Sequence, residues 1–147
     1  MRIYPNRPWV AMGVVVHKND QILLIQRAKE PYIGSWSLPG GAQKIGETVF
    51  QGAAREVLEE TGLQTHDHQL IDIVDSIHRD ANGKVEYHYT LIEVSCLYQT
   101  GNLRAGDDAL SAKWVSYDEI ENYDLRTETL RIIHQSYRSR NASFTEE

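Results

Sequence analysis

A mixed β-sheet packed between helices, in one α/β (α+β) domain, is the fold class that the sequence predicts. Three observations lead there. Valine- and isoleucine-rich runs mark several strands. Turn signals such as Asn82-Gly83 join some of them as hairpins, so part of the sheet is antiparallel. Two amphipathic helical segments are interleaved with the runs, and such segments bury their apolar faces on a sheet. The length, 147 residues, suits one domain with one core, so residues 1–147 are read as a single domain.

The elements follow in order. Trp9 to His17 (WVAMGVVVH) reads as a buried strand, Lys18-Asn19-Asp20 as a turn, and Gln21 to Gln26 (QILLIQ) as the second arm of a hairpin. Arg27 to Ser37 is a loop. Leu38-Pro39-Gly40-Gly41 is expected to turn sharply and lie close to a neighbour. Thr48 to Thr61 is the clearest helix: Thr48 and Gln51 fit a capping box, and Gly62 fits a C-terminal cap. Val49, Phe50, Ala53, Ala54, Val57 and Leu58 form its expected sheet-facing half. Gln69 to Arg79 and Lys84 to Tyr98 read as long strands joined through Asp80-Ala81-Asn82-Gly83, with His78 expected opposite His88. Thr100 to Leu110 is a loop, Ala112 to Ser116 a short strand, and Thr127 to Tyr137 a closing helix that frays from about Arg138.

Composition narrows the function classes. Fifteen Lys and Arg against 21 Asp and Glu give a net charge of −6, which argues against nucleic acid as partner but permits a small phosphorylated ligand held through cations. Cys96 is the only cysteine, which excludes an intrachain disulfide and a cysteine-rich zinc site. The N-terminal residues lack a signal-peptide pattern, and no apolar run approaches the ~20 residues that span a membrane. A cytoplasmic protein without membrane partners is the expectation.

The chemistry centres on Glu56, Glu59 and Glu60. Positions three and four apart on a helix are neighbours, so three carboxylates crowd together and repel. A divalent cation reverses that sign, because Mg²⁺ takes carboxylate oxygens and keeps water or phosphate as its other ligands. The alternative is a solvated acidic helix face. Arg55 and Glu47 are placed to pair and tie the preceding loop to the helix, and Gly40-Gly41 allows a close backbone approach.

These residues carry a resemblance. Gly41, five residues, Glu47, seven residues, then Arg55-Glu56-Val57-Leu58-Glu59-Glu60-Thr61-Gly62-Leu63 is similar to the whole Nudix box, GX5EX7REUXEEXGU, with every fixed position filled. Leu38-Pro39-Gly40 ahead of it also resembles the family. The resemblance implies an α/β/α sandwich and a hydrolase of nucleoside diphosphates linked to another moiety, with Mg²⁺ or Mn²⁺ as cofactor. It implies Glu56, Glu59 and Glu60 as metal ligands, the Gly40 carbonyl as a further ligand, and Arg55 with its partner Glu47 orienting a catalytic glutamate. The base that takes the proton of the attacking water is Glu59, Glu60 or an acidic residue of a later loop, where Asp107 and Asp108 stand.

Substrate choice lies outside the box. Arg27 and Trp36 are candidate substrate contacts, and Trp9, Tyr87, Tyr89 and Tyr117 are aromatic residues that stack on a base or pack as strand neighbours. His66-Asp67-His68 is read as a turn. The region of Glu86 to Tyr89, with Gly106-Asp107-Asp108, resembles small bacterial members acting on ADP-ribose or related sugar nucleotides. The rival readings are a nucleoside triphosphate pyrophosphohydrolase and, in another class, a non-catalytic nucleotide-sensing module. A homodimer is the expected assembly to test.

Overall fold

The computed structural model describes residues 2–28, 32–106 and 108–145. Strand β1 (Trp9–Lys18) turns through Asn19, whose φ of 54° suits asparagine, into β2 (Gln21–Arg27). The two pair at His17 with Ile22 and Lys18 with Gln21. Each then takes other neighbours. β2 pairs with β3 (Trp36–Ser37) and with β7 (Ala109–Ser116), while β1 pairs with β4 (Gly40–Ala42). Leu38 and Pro39 therefore carry the chain from the β2 side of the sheet to the β1 side.

On its other edge β1 runs parallel to β6 (Val85–Thr100), from Trp9 beside Tyr89 to His17 beside Leu97. β6 pairs antiparallel with β5 (Gln64–Arg79). The sheet is mixed, as expected. Each face carries its own core. Met12, Val14, Val16, Leu23, Val94 and Cys96 meet Ala53, Val57 and Leu63 of helix α1 (Val49–Thr61) and the residues after it. Val15, Ile22, Leu24 and Val115 meet Ile132 and Ile133 of α2 (Thr127–Thr145) and Ile120 of the 3-10 segment Tyr117–Asn122. Alternation along β1 sends even positions to one helix and odd ones to the other.

The structure corrects several expectations. Gly40-Gly41 is extended strand, not a turn: a Cβ on Gly40 would lie 2.0 Å from the Met12 carbonyl oxygen, so glycine is needed for close approach. Val49, Ala53 and Val57 of α1 pack on the sheet together with the buried Gly52, while Phe50 and Leu58 are 41% and 44% exposed. His66 and Asp67 belong to β5, where a register shift and the positive φ of Asp67 absorb the irregularity. His78 pairs with Tyr87 and His88 with Ile77, one position away from the expected pairing.

α2 also continues beyond Arg138. Arg140 is the reason: its guanidinium donates to Ser95 Oγ (2.8 Å) and to the Asp67 carboxylate (2.6 Å) and carbonyl (2.8 Å), holding the last turns against β5 and β6. The Asp80–Lys84 connection follows the sequence signal, with Gly83 at φ 82° and the Asp80 amide donating to the Lys84 carbonyl.

Candidate active site

Helix α1 begins where the sequence places it. Thr48 Oγ1 accepts from the Gln51 amide (3.1 Å), and the Gln51 side chain accepts from the Thr48 amide (2.9 Å). It ends at Gly62, in the left-handed conformation at φ 76°, whose amide donates to the Leu58 carbonyl. With both ends fixed and one stripe buried, the opposite face presents Arg55, Glu56, Glu59 and Glu60 in a set orientation.

Arg55 is the hub. Its Nε and Nη2 donate to the two oxygens of Glu47 (2.9 and 2.7 Å), the fork-to-fork geometry that makes such pairs strong. Nη2 also reaches the Ala42 carbonyl (3.1 Å) in β4. Nη1 donates to Glu56 (2.8 Å) and Glu59 (3.2 Å). The guanidinium thus ties the loop, β4 and two carboxylates into one unit. Its hydrogen bonds pull Glu47 down to about 2, so Glu47 stays ionised at any working pH.

Glu56, Glu59, Glu60 and Asp108 line a cavity of about 310 Å³. Their environments differ. Glu59 is half exposed, with Lys44 Nζ 3.8 Å away. Glu56 lies under Gly41, where a Cβ would stand 2.6 Å from its carboxyl carbon, and burial raises its pKa despite Arg55. Glu60 is pushed up to about 8, first by burial and then by the nearby charges of Glu56 and Asp108. The Gly40 amide, donating to Glu60 Oε2 at 3.0 Å, and the Arg27 charge oppose that rise. A buried carboxyl among like charges needs a proton or a cation, and the donor set is entirely hard oxygen. The residues therefore fit Mg²⁺ or Mn²⁺. Among the described residues no three such side chains already close on a single point: Arg55 holds Glu56 and Glu59, and the Gly40 amide holds Glu60.

The other sequence-predicted residues fall as follows. Asp108 lines the cavity, and Asp107 lies outside the described residues. Arg27 ends β2 close enough for its charge to act on Glu60. Trp36 packs edge-on against Tyr123 at 5.2 Å and belongs to the core on the α2 face. Tyr117 stacks on Tyr137 at 3.6 Å and bonds His134, so it too is committed to packing. Tyr87 lies against His78, and Arg7 sits over the Trp9 ring. Two contributors escaped the sequence reading: Lys44, which nothing marks except its place inside the box, and Ala42, which acts through its backbone carbonyl.

The NUDIX domain model matches residues 7–135. The chain is 36% identical over 113 residues to an ADP-ribose pyrophosphatase of Methanocaldococcus jannaschii, covering 77% of this chain and 64% of that protein. It is 38% identical over 73 residues to the human 8-oxo-dGDP phosphatase NUDT18, covering 50% of this chain and 23% of the relative. The chain therefore spans less than two thirds of either relative's length. Among solved structures, a MutT NUDIX hydrolase from Burkholderia pseudomallei superposes with a TM-score of 0.72 at 29% identity, covering 88% of this chain and 98% of that one. The NUDIX domain of Shewanella oneidensis NrtR, solved with ADP ribose, gives 0.76 at 21% identity over 92% of this chain and 90% of its own, a likeness of fold. With the family model covering most of the chain, and Glu47, Glu56 and Glu59 of the box joined around Arg55, the protein belongs to the NUDIX domain family.

Proposed function

We propose that this chain is a divalent-metal-dependent hydrolase of the pyrophosphate linkage in nucleoside diphosphate-linked substrates, with ADP-ribose or a related sugar nucleotide as its substrate class. One observation carries the reading: Glu56, Glu59, Glu60 and Asp108 line one cavity, beside an Arg55–Glu47 lock that joins the loop to the helix. The relative named an ADP-ribose pyrophosphatase supports the choice of substrate.

Glu56, Glu59 and Glu60 would hold Mg²⁺ or Mn²⁺, with the Gly40 carbonyl as a further candidate ligand. The ion would supply charge neutralisation at the pyrophosphate oxygens and a lowered pKa for the attacking water. Arg55 keeps Glu56 and Glu59 oriented, and Glu47 keeps Arg55 in place. Glu59, Glu60 or Asp108 accepts the proton of the attacking water as it meets phosphorus in line with the leaving phosphate. The carboxylates must be ionised to hold the ion and the attacking water must lose its proton, so turnover rises from pH 6 into the alkaline range. A profile peaking near pH 5 contradicts the scheme.

The test is a panel of ADP-ribose, other sugar nucleotides, dinucleoside polyphosphates and normal and oxidised nucleoside triphosphates, each with Mg²⁺ and with Mn²⁺. AMP plus ribose 5-phosphate from ADP-ribose, well above all other rates, is the expected result, and Glu60→Gln should lower kcat at least a hundredfold. A second reading, release of pyrophosphate from a nucleoside triphosphate, would show in the same panel as a monophosphate plus pyrophosphate. Binding without turnover would instead point to a sensing module, against which the complete set of box carboxylates stands. No helix among the described residues is long and apolar enough to cross a membrane. A cytoplasmic location and a homodimer complete the proposal. The edge strand β5, with Leu70, Ile73 and Ile77 about half exposed, is the face to examine by sedimentation.

A further inference from the structure

The α2 face of the sheet holds a second concavity, a groove of about 280 Å³. Leu38, Val74 and Leu91 form apolar walls, Arg126 and Glu128 lie along it, and Glu93 of β6 takes part in its lining. Glu93 is unusual. It is 7% exposed, and its Oε2 is fully buried with no hydrogen-bond partner. Among the described residues it is the only buried side-chain polar atom left in that state. Leaving such a group unpaired is costly, which sets it apart from ordinary packing.

The sheet makes room for it. Glu93 lies beside Gly13, where a Cβ would come within 2.4 Å of Oε2. Gly13 is in turn paired with Gly40, whose amide holds Glu60. Three neighbouring strands thus place Glu93 and the catalytic strand β4 at one level, roughly 10 Å apart at the usual strand spacing. Leu38 lines the groove and stands two residues before Gly40, so the groove borders the segment that leads into the catalytic centre.

The inference rests on the nucleotide-hydrolase reading above. We propose that Glu93 determines base specificity: its carboxylate accepts a hydrogen bond from the exocyclic amino group of the substrate's nucleobase, so that 6-amino purine nucleotides are preferred over 6-keto ones. The apolar walls suit the faces of a flat ring, and the carboxylate suits its donor edge. A 6-keto oxygen at that place would set acceptor against acceptor, among the further negative charges of Glu128 and Asp72. Rejection by an unpaired buried polar group is among the stronger sources of discrimination.

The test measures binding of AMP and IMP, which differ at that one substituent and contain no pyrophosphate to hydrolyse. Burial and Glu128 push Glu93 up to about 7, with Arg131 opposing and Asp72 adding to the rise, so titrations at pH 8.5 with Mg²⁺ examine the ionised group. AMP should bind at least tenfold more tightly than IMP. Glu93→Gln, whose amide can donate to a 6-keto oxygen as well as accept from a 6-amino group, should narrow that preference, and Glu93→Leu should bring the ratio to about one. Gly13→Ala, whose Cβ displaces the carboxylate, should do the same and serves if the leucine variant fails to fold. Equal affinities in the wild type, a preference for IMP, or an unchanged ratio in Glu93→Leu overturns the proposal. If the AMP preference stands but ADP-ribose is not hydrolysed, the catalytic reading alone fails. If ADP-ribose is hydrolysed but AMP and IMP bind alike, the role of Glu93 alone fails.

Discussion

Arg55 shows how one side chain can set a site. It touches Glu47, Glu56, Glu59 and the Ala42 carbonyl, so its loss frees two carboxylates and a loop together. Groups that orient metal ligands typically account for 10–100-fold in metal affinity or activity. Arg55→Ala should fall in that range, read as a raised Mg²⁺ requirement, while Arg55→Lys should recover little, because one ammonium cannot reproduce the fork. These residues were legible in the sequence because their spacing on a capped helix leaves little freedom. Glu93 was not read. Its signal was present, a lone acid within Leu91-Ile92-Glu93-Val94-Ser95-Cys96, but only the pairing of β6 with β1 buries it. In the folded state Glu93 titrates near 7 against an ordinary 4.5, so the native form binds the extra proton and stability is lost as pH rises from 4.5 to 7. Glu93→Gln should therefore be more stable than wild type at pH 8.5, by roughly 3 kcal/mol at most, with the gain vanishing below pH 4.5. Denaturant midpoints at the two pH values check this.

Between elements, the contact of β1 with α2 is informative. His17 Nε2 and Ser136 Oγ meet at 2.7 Å, both buried, in the layer beside Ile132 and Ile133. Burial, with Arg140 nearby, lowers His17 from 6.5 to about 4. The unfolded chain then binds the proton first, so stability falls as pH drops from 6.5 to 4 and is fully present above 6.5. Ser136→Ala leaves the imidazole without its partner and should cost about 1–3 kcal/mol at pH 7.5. An unchanged thermal midpoint would show that water replaces the hydroxyl at no cost. The same comparison explains what the sequence left unread in the helices. Local caps define α1 completely. The length of α2 depends on Arg140 meeting Ser95 and Asp67, residues 45 and 73 positions away, which no local pattern carries. β4 was misread for a related reason: a glycine pair marks close approach as well as a turn, and only the Met12 carbonyl decides between them.

For the whole molecule, the acidic cavity couples ion binding to stability. Three carboxylates on one helix face repel when no cation is bound, and a ligand that binds only the folded state adds RT ln(1 + [L]/Kd). Mg²⁺ at a hundred times its Kd should contribute about 2.7 kcal/mol, or roughly 5–10 °C in Tm for a chain of this size. Calorimetry with Mg²⁺ and with chelator measures it, and Glu60→Gln should shrink the difference. If the shift were as large in that variant, the stabilising site would lie elsewhere. The sandwich itself was legible as interleaved strands and helices. The crossing of Leu38-Pro39 between two diverging strands was not, because it depends on which neighbours β1 and β2 take beyond their short shared hairpin.

The parallel pairing of β1 with β6 also governs how the protein reaches its native state. It joins Trp9 to Tyr89 across eighty positions, a closure whose entropy must be spent before any contact of the pair repays it. Chains dominated by such distant contacts fold in milliseconds to seconds, far more slowly than local helices form. β4 hangs on β1, and Glu60 hangs on β4 through the Gly40 amide. During refolding, α1 helicity should therefore appear early by circular dichroism, while hydrolytic activity returns only with the slow phase that closes the centre of the sheet.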